Sequence, residues 1–158
     1  MWELLAQVEE FRVAQCISVY VSVGAEIETH GLIRQLLAME RRVCAPAFDG
    51  ARYRLAEVRD FDVDLVAGEF GIFEPRNGPV VPADQPDAWL VPGFAFDVKG
   101  NRLGRGQGFY DALLREARGA KIALAHDFQI LSEVPASQHD VRMDFIVTET
   151  RLINCQRK

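Results

Sequence analysis

Three glycines alternate with a basic and a polar residue in Gly104-Arg105-Gly106-Gln107-Gly108, directly ahead of an apolar segment that begins at Phe109. Glycine permits positive φ and lets backbone N–H groups come close to a ligand. A helix starting right after such a turn adds the positive end of its dipole, so the segment predicts an anion site. Arg102 and Arg105 bring two guanidinium groups able to hold phosphate oxygens in pairs. A polyphosphate suits this combination. The spacing matches neither G-x-x-x-x-G-K-[ST] nor G-x-G-x-x-G, and it lies late in the chain, outside the first βα unit. Taken alone, a flexible surface turn with incidental arginines accounts for the same residues.

Carboxylates stand where a cation would be needed beside such a ligand. Asp111 falls in the first turn of the predicted helix, where it either complements the helix dipole or ligates Mg²⁺. Asp140, in the pair His139-Asp140 on an irregular stretch after Pro135, offers a second carboxylate or is a plain surface residue. Glu26 sits in the loop after a predicted strand, the place where α/β sites form, and a solvated turn residue is its other reading.

The elements that must position these groups can be read from periodicity. Leu4, Leu5, Val8 and Phe11 have helical spacing over residues 3–13. Residues 16–23 read as a buried strand. Thr29 is placed to cap a helix running to about Met39, with Leu32, Ile33, Leu36 and Leu37 as its apolar stripe. Strands are expected at 42–48, 53–58, 88–91, 121–125 and 145–147, and a helix at 109–117. Residues 68–87, rich in glycine and proline, are expected to form a long irregular connection. Strands alternating with helices predict an α/β fold: one domain over 1–158, three layers α/β/α, with a mostly parallel sheet flanked by helices.

Composition limits the partners. The 158 residues fit one domain, and 49% hydrophobic with 26% charged residues is ordinary for a globular chain. A net charge of −5 opposes nonspecific binding to nucleic acid or acidic membranes. No apolar run approaches the roughly 20 residues that span a bilayer, and the acidic N-terminus does not read as a signal peptide. Cys16, Cys44 and Cys155 are far apart without C-x-x-C spacing, which predicts no zinc site and a cytoplasmic setting.

The string from Pro92 to Asp111, PGFAFDVKGNRLGRGQGFYD, resembles the signature of the 5-formyltetrahydrofolate cyclo-ligase family. Three further segments fall in that family's order: Gly24 to Thr29, Gly71 to Pro75, and Gln129 to Glu149. The resemblance implies conversion of 5-formyltetrahydrofolate to 5,10-methenyltetrahydrofolate with Mg²⁺ as cofactor and ATP as co-substrate, through phosphorylation of the formyl oxygen. It implies ATP contacts from Arg102, Gly104, Arg105, Gly106, Gly108 and Tyr110, with Arg105 and Tyr110 as catalytic residues. Val21, Glu26, Arg105, Gly106, Gln107, Gly108 and Phe109 would face the folate, and Asp111 and Asp140 would hold Mg²⁺. Folate and ATP would be the only partners, and the chain a monomer.

Some positions depart from the family pattern. An N-terminal helix with a lysine and an arginine is usual, whereas Met1 to Phe11 holds neither, leaving Lys99 and Arg142 as candidate replacements. Phe109 stands where tyrosine is common, and Ser137 where glutamate is. The alternatives are a family homologue that binds a nucleotide, folate or pterin without turnover, and an unrelated phosphosugar- or nucleotide-binding α/β enzyme.

Overall fold

Short runs of aliphatic and β-branched residues build the sheets of this protein, whose computed structural model describes residues 1–68, 71–106 and 108–156. In chain order the strands are β1 (Cys16–Val19), β2 (Arg42–Phe48), β3 (Tyr53–Val58), β4 (Leu65–Ala67), β5 (Phe73–Pro75), β6 (Val80–Val81), β7 (Ala88–Val91), β8 (Ala95–Asp97), β9 (Arg102–Leu103), β10 (Ala120–Leu124), β11 (Ile130–Leu131), β12 (Phe145–Val147) and β13 (Leu152–Asn154). The helices are α1 (Trp2–Leu5), α2 (Glu9–Val13), α3 (His30–Ala38), α4 (Phe61–Asp64) and α5 (Phe109–Leu114).

The main sheet has eight strands in the order β13-β12-β10-β7-β1-β2-β3-β6. Its centre, from β12 through β10, β7 and β1 to β2, is parallel, and antiparallel strands finish both edges. Ile17 of β1 is in register with Val43 on one side and Ala88 on the other. Alternation along the strands sends Ile17, Val43, Ala88, Leu90, Ile122 and Val147 into one core with Leu5, Val8 and the α3 residues Leu32, Ile33 and Leu36. The opposite set, Cys44, Trp89, Val91, Ala123 and Ile146, packs with Leu113 and Leu114 of α5 and with Phe96 of β8. This is the expected α/β fold with a mostly parallel sheet. Its second outer layer combines α5 with the three-stranded sheet β11-β8-β9.

Local boundaries differ where tertiary forces override pattern. Residues 3–13 form two short helices, because single turns have little stability of their own and burial of Leu5 and Val8 sets the bend between them. Strand β1 ends at Val19, well before Val23. Helix α5 ends at Leu114, short of Ala117. Thr29 occupies the N-cap of α3 but its hydroxyl is used elsewhere, donating to the Tyr20 carbonyl at 2.6 Å and accepting from Ser22 N at 3.1 Å. The 68–87 connection contains β5 and β6. All three cysteines are free thiols. Among the described residues no helix is long and apolar enough to cross a membrane.

Candidate active site

A cleft of about 800 Å³ opens outside the carboxyl ends of β1, β7 and β10. Chain order reverses there, since β1 lies between β2 and β7, and ligand sites of open parallel sheets form at such a point. Its walls include Val21, Glu26, Arg102, Gly104, Arg105, Gly106, Gly108, Phe109, Tyr110, Asp111 and Asp140. The structure therefore gathers into one cleft the site residues expected from sequence, apart from Gln107, which lies outside the described residues. Lys99 and Arg142 do not line it.

The glycine loop is delivered by the β8–β9 hairpin. Asp97, fully buried, accepts from the amides of Lys99, Asn101 and Val134 and from the Asn101 side chain, fixing the turn that leads into Arg102. Burial alone would raise this carboxyl's pKa, but those hydrogen bonds outweigh it and hold it below the ordinary value. After the hairpin, Gly106 has φ of 84° and Gly108, the N-cap of α5, has φ of 68°. A Cβ at either would meet open space, so backbone conformation, not crowding, demands glycine there.

Arg102 and Arg105 play different parts. The Arg102 side chain is only 5% exposed and pairs with Asp111 at 3.0 Å while donating to the Pro92 carbonyl at 3.3 Å. Its Nε has no partner among the described residues. Arg105 is more than half exposed and reaches Glu26 at 3.7 Å, across the cleft from its own loop. Glu26 in turn accepts from Val23 N at 2.9 Å, closing the 23–26 turn. Tyr110 lies beneath the Arg102 guanidinium, 5.5 Å from ring centre, and its buried hydroxyl is without a partner among the described residues. Burial pushes the phenol's pKa up, so it stays protonated and is available as a donor.

Asp111 and Asp140 both line the cleft, and the stretch that carries Asp140 is bonded to Asp111. Val141 N donates to Asp111 Oδ1 at 3.4 Å, and Asp140 Oδ2 accepts from Ser137 N at 2.7 Å. Among the described residues no group of three or more His, Cys, Asp or Glu side chains could hold a metal. Two carboxylates beside a loop that could hold phosphate are nonetheless a donor set that suits Mg²⁺, which takes one or two carboxylates and completes its shell with phosphate oxygens and water.

Sequence reasoning missed several walls of the cleft. Phe109 packs in a cluster with Phe48, tilted at 5.7 Å, and Tyr53, edge-on at 6.0 Å between ring centres. Tyr53 comes from the β2–β3 hairpin, with no local signal to mark it. Phe73, Phe94 and Phe128 are exposed aromatics at the cleft. His126, just beyond β10, was also unmarked. Its Nδ1 meets the Glu149 carboxylate, its Nε2 lies 3.0 Å from the Ala25 carbonyl, and its ring stacks on Phe128 at 5.2 Å.

Comparison with known proteins agrees with this geometry. The model of the 5-formyltetrahydrofolate cyclo-ligase family matches residues 2–149. A 5-formyltetrahydrofolate cyclo-ligase of Mycolicibacterium smegmatis is 38% identical over 144 residues, covering 85% of this chain and 74% of that one. One from Escherichia coli is 30% identical over 147 residues, covering 88% and 80%. Among solved structures, the Aquifex aeolicus 5,10-methenyltetrahydrofolate synthetase superposes with a TM-score of 0.87 at 31% identity, covering 99% of this chain and 79% of that one. Fold and cleft thus define an α/β protein of the folate cyclo-ligase class. The chain belongs to the 5-formyltetrahydrofolate cyclo-ligase family. The reading as an unrelated phosphosugar- or nucleotide-binding enzyme is thereby set aside.

Proposed function

We propose that this protein converts 5-formyltetrahydrofolate to 5,10-methenyltetrahydrofolate at the expense of ATP, with Mg²⁺ bound beside the phosphates. One observation carries the reading: the glycine–arginine loop with Asp111 and the Glu26 turn face each other across a single cleft. The oxygen on the carbon of an N-formyl group is a poor leaving group. Transfer of the γ-phosphoryl group to that oxygen, breaking the bond to ADP, turns it into a good one. N10 then attacks the formyl carbon, the carbon–oxygen bond breaks, phosphate departs and N10 loses its proton.

The chain's own groups serve by position and charge. The amides of the glycine loop and the exposed Arg105 would hold phosphate oxygens. Arg102 would keep Asp111 oriented, and the protonated Tyr110 hydroxyl would donate to an oxygen that gains charge. Asp111 and Asp140 would hold Mg²⁺, which when bound neutralises phosphate charge. Val21, Glu26 and Phe109, with the exposed aromatics, offer the mixed polar and flat apolar wall that a pteridine and its aryl group require. Both ligands are small molecules, and we propose a monomer as the working form.

The test is an assay of near-ultraviolet absorbance from the methenyl product with 5-formyltetrahydrofolate, ATP and Mg²⁺. Product dependent on all three is expected, and chelation of Mg²⁺ should abolish it. Folded protein that binds ATP or folate in a thermal-shift assay without forming product would instead favour a homologue that only binds.

A further inference from the structure

Of the groups invoked above, the His126 side chain touches only Phe128, on which its ring stacks, yet it joins three separate segments at the cleft. Its ring lies on Phe128, its Nδ1 faces Glu149 in the β12–β13 turn, and its Nε2 faces the carbonyl of Ala25, next to Glu26. Both partners are acceptors. A carboxylate and a carbonyl can be satisfied together only if each ring nitrogen carries a hydrogen, so this contact set calls for the imidazolium. Glu149 is itself held in place, because its other oxygen accepts from Asp127 N at 2.7 Å. Asp127 is fixed by Thr148, Thr150 and Arg151. The anchor is therefore rigid, and the tip of the 23–26 turn hangs from it.

We infer that His126 is a positioning residue for the folate side of the cleft: its charged ring, anchored on Glu149, clamps the Ala25 carbonyl and thereby sets the placement of Glu26. This rests on the proposed function for the identity of the ligand only; the clamp itself is a property of the chain. The charged group facing the ring is Glu149; behind it Asp127, whose amide donates to Glu149, pairs with Arg151, and on the loop side Glu26, the residue after Ala25, pairs with Arg105. The hydrogen bond to Glu149, helped by that from the ring to Ala25, raises the His126 pKa above its ordinary 6.5 against the opposing effect of burial. When pH rises through that raised value, Nδ1 keeps its hydrogen and goes on donating it to the Glu149 carboxylate, and Nε2 is left with a lone pair. It then faces the lone pairs of Ala25 O, and the clamp opens.

The test follows the ring by NMR across pH in the full chain, together with amide signals of Ala25 to Ile27 and the KM for 5-formyltetrahydrofolate. The ring should titrate above 6.5, with the loop amides shifting in step. KM should rise about tenfold, the effect of losing one hydrogen bond to a charged group, while kcat changes little. His126→Gln, whose amide donates at any pH, should keep the low KM and lose its pH dependence. His126→Phe should have the high KM throughout, and Glu149→Gln should move ring and loop titrations together to lower pH. Loop amides that ignore the ring's titration, or a His126→Phe variant with the wild-type KM profile, would overturn the clamp. Ring and loop titrating together without methenyl product at any pH would support the clamp and count against the cyclo-ligase reading alone.

Discussion

Arg102 illustrates how a residue chosen by motif is held by its surroundings. By type and spacing it was expected to grip phosphate, but its guanidinium is nearly buried and committed to Asp111 and the Pro92 carbonyl. A buried ion pair adds little net stability, while loss of one partner leaves the other charge uncompensated. Arg102→Met should therefore cost about 3 kcal/mol in urea unfolding, and should weaken Mg-ATP binding because Asp111 is no longer held. The double variant Arg102→Met/Asp111→Leu should recover most of the stability but none of the binding. Sequence named both residues, and both line the cleft. Their mutual contact was invisible, since it depends on how β9 is laid against the start of α5.

The β8–β9 hairpin is the element on which the loop's geometry depends. Asp97 ties its turn to Val134 with four hydrogen bonds and no exposure. Its folded pKa lies below the ordinary 3.8. The carboxylate's contribution to stability is therefore fully present above that ordinary value and is lost as pH falls through the lowered one. Acid unfolding followed by circular dichroism should thus show a limb beginning below about pH 4. In Asp97→Asn that limb should shrink, and stability at neutral pH should drop by about 2 kcal/mol, because an amide N–H₂ now faces donors. The periodicity that located β7 and α5 gave no sign of this hairpin. Its strands are two and three residues long, and the Asp97 contacts exist only after folding.

One sheet carries a core on each side, an arrangement expected to unfold as a unit. Trp89 sits fully buried in the middle of that sheet, while Leu32, Ile33 and Leu36 close one face and Leu113 and Leu114 the other. Unfolding in urea should be two-state, with tryptophan fluorescence and far-ultraviolet circular dichroism giving coincident midpoints. Separate transitions would contradict the reading of residues 1–158 as one domain. The second face is covered by a six-residue helix and a small sheet. Truncating Leu114 there to alanine should cost about 2–5 kcal/mol, measured as a fall in the urea midpoint.

The sequence alone determined the glycine–arginine loop, the carboxylates at 26, 111 and 140, and the alternation that makes an α/β sheet. Those features are local in character: they depend on residue type, spacing and period. Tertiary structure decided what no local pattern encodes. It put Tyr53 beside Phe109, gave Arg102 to Asp111 in place of solvent, diverted the Thr29 hydroxyl from capping to holding the Tyr20–Ser22 turn, and hung Ala25 from a histidine 101 residues away. The physical reason is that hydrogen bonds, charge pairs and burial are settled between segments. The glycine loop is therefore readable from the chain as a candidate anion site, but its facing wall is set only where β1, β7 and β10 end together.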